Sequence, residues 1–151
     1  MNRNLIFAFL LLAALAMVNA VPYQLLKRDK DVGYTCPTNP DGSYIYANLN
    51  PFPPVSNQPV NYTVEGGMLG YGITPYKTTI TIAYTDKHII EAYTKALDFY
   101  YAKGAPFSFD VLDVPTPQLP SAYAIIVIIA DKTDDPNKPE LHACSFATIG
   151  Y

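Results

Sequence analysis

Few residues in this chain are of types that do chemistry, and spacing limits what each can do. The two histidines, His88 and His142, stand in unrelated contexts. Neither belongs to a zinc-binding HExxH helix or lies beside a nucleophile elbow. The glycine-rich "EGGMLGYG", with Gly66, Gly67, Gly70 and Gly72, has the composition of a phosphate cradle. No Lys-Ser/Thr follows it and no βαβ pattern surrounds it, so a flexible connection between strands is the simpler reading. Asp110 and Asp113 could be cast as a glycosidase carboxylate pair, but no cleft motif accompanies them. "TDDP" at 133–136 lacks the alternating ligand spacing of a calcium loop and reads as a solvated turn. No catalytic constellation, metal ligand set or cofactor motif emerges, and the chain is not read as an enzyme.

Two further features belong to a secretory context. Cys36 and Cys144 are an isolated pair, which in an oxidising compartment most simply forms one disulfide. Two free thiols, or a metal held by two cysteines, are the competing readings. Asn61-Tyr62-Thr63 is an N-glycosylation sequon.

The compartment follows from the N-terminus. "MNRN" precedes the apolar "LIFAFLLLAALAMV", and a small residue, Ala20, closes the segment. This is the pattern of a secretory signal peptide over 1–20. Its apolar core is about 14 residues, short of the ~20 that span a bilayer. Residues 21–28, "VPYQLLKR", end in Lys27-Arg28, a kexin-type site, and form a candidate propeptide. A solvated dibasic pair is the alternative. Residues 29–151 then form a single domain, expected as a secreted monomer without a stable membrane anchor. It carries 7 Lys against 13 Asp+Glu, a net charge of −6. That balance argues against nucleic acid and anionic membrane surfaces as partners.

The elements that would position any site are strands. Pro (14) and Tyr (13) are abundant, and short runs alternate in polarity. Residues 43–49 form a candidate first strand. Residues 60–66 place Val60, Tyr62 and Val64 on one face and Asn61, Thr63 and Glu65 on the other. Residues 76–86 repeat this with Ile80, Ile82 and Tyr84, and 105–115 with Phe107, Phe109 and Val111. Residues 122–131, "AYAIIVIIAD", are apolar on both faces. Residues 140–150 put His142, Cys144 and Phe146 on one face. Six or seven such strands predict an all-β sandwich. One segment, 86–104, places Ile89, Tyr93, Ala96, Leu97 and Tyr100 at helical spacing, with Asp86 as N-cap and Lys103-Gly104 as stop, and a short helix there is the competing expectation.

The stretch "DVPTPQLPSAYAIIVIIADKTDDPNKPELHACSFATIG" at 113–150, with "YTCPTNP" at 34–40 and "VSNQPVNYTVEGGM" at 55–68, resembles the ML family, the MD-2-related lipid-recognition domains. Fungal phosphatidylglycerol/phosphatidylinositol transfer-like proteins are among its members. The resemblance covers about 115 residues, 34–150, and its motifs are strand-and-turn patterns. It implies an immunoglobulin-like two-sheet β-sandwich with an apolar cavity between the sheets that holds a sterol or phospholipid. It also implies that Cys36 and Cys144 link the first and last strands. The cavity contributors would be Val60, Tyr62, Val64, Ile80, Ile82, Phe107, Phe109, Tyr123, Ile125, Val127 and Phe146. A further cysteine bridge that the family often carries near the segment corresponding to 93–106 is missing here. The contrasting expectation is a secreted interaction protein, directed at a host or cell wall, whose sandwich core is closed and binds no ligand.

Overall fold

A computed structural model describes residues 31–150 except 38, 40, 41 and 136. The signal-peptide and propeptide assignments lie outside the described residues. Seven long strands carry the fold: β3 (Ser43–Asn50), β4 (Val60–Met68), β5 (Thr78–Thr85), β6 (Ile89–Ala96), β7 (Pro106–Val114), β8 (Tyr123–Asp131) and β9 (Glu140–Ile149). Two short strands precede them, β1 (Asp31–Val32) and β2 (Tyr34–Thr35). They assemble into antiparallel sheets of order β1-β3-β4-β7 and β2-β9-β8-β5-β6. The chain is an all-β, immunoglobulin-like two-sheet sandwich, and no helix occurs among the described residues.

Alternation of side chains sets which face of each strand is buried. In β3 every second residue is buried, so Ile45, Ala47 and Leu49 face the other sheet. The facing sheet contributes Ile80, Ile82 and Tyr84 from β5, Ile125, Val127 and Ile129 from β8, and Ala143 and Ala147 from β9. Full burial of one large apolar side chain contributes about 1.5–3 kcal/mol, so this layer dominates the stability of the domain. The two backbones approach most closely where β3 crosses β9. Between β4 and β5 the gap is spanned by side chains, and the hydroxyls of Tyr62 and Tyr84 meet at 2.9 Å.

The expected helix over 86–104 does not form. Asp86 caps a turn, its Oδ1 accepting from the backbone N–H groups of Lys87 and His88, and the chain then reverses into β6. Strand β6 pairs along β5 from Thr85↔Ile89 to Thr79↔Ala96. The periodicity that suggested a helix has a different origin. As an edge strand, β6 buries little, and only Ile90, Tyr93 and Ala96 are half-covered, at a spacing of three. Its β-branched and aromatic residues fill a sheet edge that β5 would otherwise leave unpaired. Gly104, at φ 77°, closes a turn rather than a helix, its N–H bonding to the Met68 carbonyl at 3.2 Å.

Gly66 and Gly67 also depart from expectation. They lie inside β4, paired with Ile45 and Tyr44 of β3, rather than in a flexible connection. A Cβ on Gly66 would stand 2.3 Å from the Tyr44 carbonyl oxygen, so the close approach of the two strands requires glycine there.

Candidate functional site

Two places in the sandwich gather groups with the means to bind something: the inter-sheet layer with its β6–β7 edge, and a polar cluster at one end of the sheets. Of the eleven residues expected to line an inter-sheet space, ten face it. Val60, Tyr62, Val64, Ile80, Ile82, Phe107, Tyr123, Ile125 and Val127 are buried there, and Phe109 is half-buried against the same cluster. Phe146 is the exception. Its register partner is Ile126, whereas the core-facing Ile125 pairs with Ala147, so Phe146 belongs to the outer face of the five-stranded sheet. Phe146 shares a face with Cys144, as alternation requires, but that face is the outer one, because Ser145 and Ala147 pair with the core-facing Val127 and Ile125.

The β6–β7 edge is aromatic. Strands β6 and β7 end their respective sheets, and the segment joining them places Phe99 4.9 Å from Phe109 and 5.7 Å from Tyr101, centroid to centroid. Tyr101 and Phe107 stand 6.0 Å apart, and Phe107 and Phe109 5.8 Å. These are the spacings at which offset and edge-to-face ring contacts are favourable. Backbone bonds fix the segment, Ile73 N–H donating to the Tyr101 carbonyl at 2.9 Å and Tyr101 N–H to the Ile73 carbonyl at 3.1 Å. Ring packing and the Ile73–Tyr101 bridge hold this region, which contains no cysteine. Phe99 and Tyr101 escaped the sequence reading because they lie outside any alternating run.

Beyond these rings the layer holds buried hydroxyl groups, on Tyr62, Tyr84 and Tyr123 and on Ser145 and Thr116. Burial pushes the Tyr62 phenol far above the usual tyrosine range, with the neighbouring Tyr84 adding to the effect. Burial raises Tyr84 and Tyr123 as well, so all three remain neutral hydroxyls. The Tyr84 hydroxyl also meets Thr116 Oγ1 at 3.2 Å.

The second cluster sits where β8 ends and β9 begins. Asp131 and Glu140 are register partners across that hairpin. A bulge at Ile129/Ala130 leaves His142 without a partner in the ladder, and its Nε2 lies 3.7 Å from Asp131 Oδ1. Thr78 Oγ1 donates to Asp131 Oδ1 at 2.6 Å, and the Lys77 ammonium lies 2.7 Å from Oδ2. The Tyr71 ring stacks on the imidazole at 4.2 Å. Burial alone would raise the Asp131 carboxyl, but the bonds from Lys77 and Thr78 and the charges of His142 and Lys77 hold it below its ordinary value. Burial lowers the His142 imidazole, only partly opposed by Asp131 and Glu140.

Both shifts destabilise the domain in acid. A histidine lowered from 6.5 stays neutral in the native state while the unfolded chain takes up a proton, so stability falls as pH drops below 6.5. Asp131 adds a loss further down, as pH falls below 3.8 and through its lowered native value. Denaturation midpoints are expected to fall between about pH 7 and 5, and His142→Gln is expected to flatten that arm of the profile.

The remaining candidates resolve as local structure. Asp110 accepts from Thr63 Oγ1 at 2.7 Å on an exposed face, and Asp113, at φ 55°, occupies the irregularity where β7 leaves register with β4. Asp135 Oδ1 accepts from Asn137 N–H at 2.9 Å within a turn. His88 is exposed in the β5–β6 turn. Asn61 is exposed, its side-chain carbonyl accepting from Asp113 N–H at 2.9 Å. Cys36 and Cys144 form a disulfide, with Cα atoms 5.4 Å apart. An open concavity of about 400 Å³ lies over Thr79, Thr81 and Thr94 beside Lys132, Thr133 and Asp135, on the outer face of the larger sheet.

Fold and sites together define an antiparallel two-sheet β-sandwich closed by one disulfide, with an aromatic edge and a polar end. No family model matches the chain, and no curated protein matches it.

Proposed function

We propose that the chain is a secreted lipid-binding or lipid-transfer protein that takes the apolar part of a sterol or phospholipid between its two sheets, entering at the β6–β7 edge. The observation that carries this reading is the half-buried ring cluster of Phe99, Tyr101 and Phe109 where the last strands of the two sheets, β6 and β7, lie. Such rings offer an apolar chain a path into a layer already lined by Ile80, Ile82, Ile125 and Val127. Leu69 and Tyr100, 66% and 69% exposed, flank the same end and would meet the lipid's source. An acyl chain of about 14 methylenes gains roughly 11 kcal/mol gross on burial, enough for micromolar binding after ordering costs. In this reading Asn61 carries a glycan in the secretory pathway, and the domain acts without cofactor or catalysis.

A second reading is an interaction protein with a closed core. The Tyr62–Tyr84 hydroxyl contact favours it, because it bridges the sheets at a point where both side chains are 0–1% exposed.

Organic extraction and native mass spectrometry of protein secreted from a eukaryotic host separate the two. Co-purifying lipid and uptake of a fluorescent sterol or phospholipid are expected. Phe109→Asp, at a half-exposed position, is expected to weaken uptake at least about tenfold, the loss that corresponds to one aromatic contact. Lipid-free protein that takes up neither probe would leave the interaction reading standing.

A further inference from the structure

We propose that Asp131, Glu140 and His142 form a binding site for a divalent transition-metal ion of the zinc class at the end of the sandwich. Each offers one ligand atom, and the three atoms lie within 4.8 Å of one another. The 3.7 Å between His142 Nε2 and Asp131 Oδ1 suits two ligands that share an ion at about 2.0–2.2 Å from each.

The histidine carries the argument. His142 is 2% exposed, and neither ring nitrogen has a hydrogen-bond partner among the described residues. Burying an unpaired polar nitrogen is costly, and such groups in native folds call for a physical reason. An ion on Nε2 supplies one.

The backbone and its neighbours hold the three ligands in place. Asp131 and Glu140 are paired across the hairpin, and the β9 bulge aims His142 at them. Thr78 Oγ1 orients the Asp131 carboxylate and the stacked Tyr71 ring orients the imidazole, the supporting roles that tune metal ligands. One imidazole nitrogen with two carboxylate oxygens suits zinc, solvent completing the tetrahedron, whereas calcium and magnesium favour all-oxygen sets.

Lys77 is the competitor. Its ammonium occupies Asp131 Oδ2, but its side chain is half-exposed and free to swing into water. The ion would lie on Oδ1, so the ammonium on Oδ2 opposes it by charge rather than by occupying its place. The sequence offers no sign of this site, because His142 belongs to no ligand motif.

Calorimetric titration of Zn²⁺ into chelator-treated, disulfide-intact protein tests this. One equivalent is expected to bind, in preference to Mg²⁺ and Ca²⁺. Glu140→Gln, at an exposed position that leaves the fold intact, is expected to weaken Zn²⁺ at least about tenfold, and His142→Gln to remove the high-affinity equivalent. Lys77→Ala is expected to tighten binding, and His88→Gln to leave it unchanged. Equal Zn²⁺ affinity in the wild type and Glu140→Gln overturns the site, as does a loss of binding in His88→Gln or no tightening in Lys77→Ala.

Discussion

Replacing Cys36 and Cys144 together with alanine is expected to lower the unfolding free energy by about 2–5 kcal/mol, among the largest effects available in this domain. The bridge closes a loop of 108 residues, and restricting so long a segment of the unfolded chain is worth about 4–5 kcal/mol in the chain-entropy model. The native geometry is ready for it. Strand β2 pairs with β9 at Tyr34↔Phe146 and Thr35↔Ser145, and the Cys36 N–H continues that ladder to the Cys144 carbonyl at 3.2 Å. The covalent link therefore anchors a two-residue strand that has few other ties. Guanidinium titrations of the double variant and of reduced wild type should agree with each other. A midpoint that reductant leaves unchanged would contradict the prediction.

Tyr62→Ala is expected to cost about 3–5 kcal/mol, as large-to-small changes at buried aromatic positions do. The ring fills the middle of the inter-sheet layer at 0% exposure, and its removal also leaves the Tyr84 hydroxyl with Thr116 as its remaining partner. Tyr62→Phe isolates the hydroxyl and is expected to cost about 1 kcal/mol, the net worth of one hydrogen bond. Urea titrations of the two variants measure both quantities. The pair also bears on function. If Tyr62→Ala costs less than the hydroxyl alone, the space around the ring is loose enough to admit a ligand. If it costs the full amount, any bound chain must displace packed side chains or lie nearer the β6–β7 edge.

Where alternation ran cleanly, sequence and fold agree. The inward faces of β4, β5, β7 and β8 could be read directly, because a sandwich strand with one buried face leaves a period of two in its residues. The doubly apolar run at 122–131 is β8, central in the five-stranded sheet. Its inner residues meet the core, while Ala124, Ile126 and Ile128 lie half-buried on the outer face. The candidate helix 86–104 does not cover that face: the segment extends the same sheet as β6 and then packs its aromatic residues toward β7.

The sequence by itself determined the class of fold, the inward face of most strands and the pairing of its only two cysteines. Each depends on a local pattern or, for the cysteines, on there being a single pair to join. Tertiary structure decided the rest. Edge pairing with β5 overrode the helical spacing of β6, because unsatisfied backbone groups on a central strand outweigh a weak local preference. A bulge in β9 turned His142 toward Asp131, and the pairing register with β8 set Phe146 on the outer face; neither has a signature in composition. The polar end of the sandwich exists because a hairpin brings Asp131, Glu140 and His142 together beside Lys77 and Thr78, an encounter that only the folded chain creates.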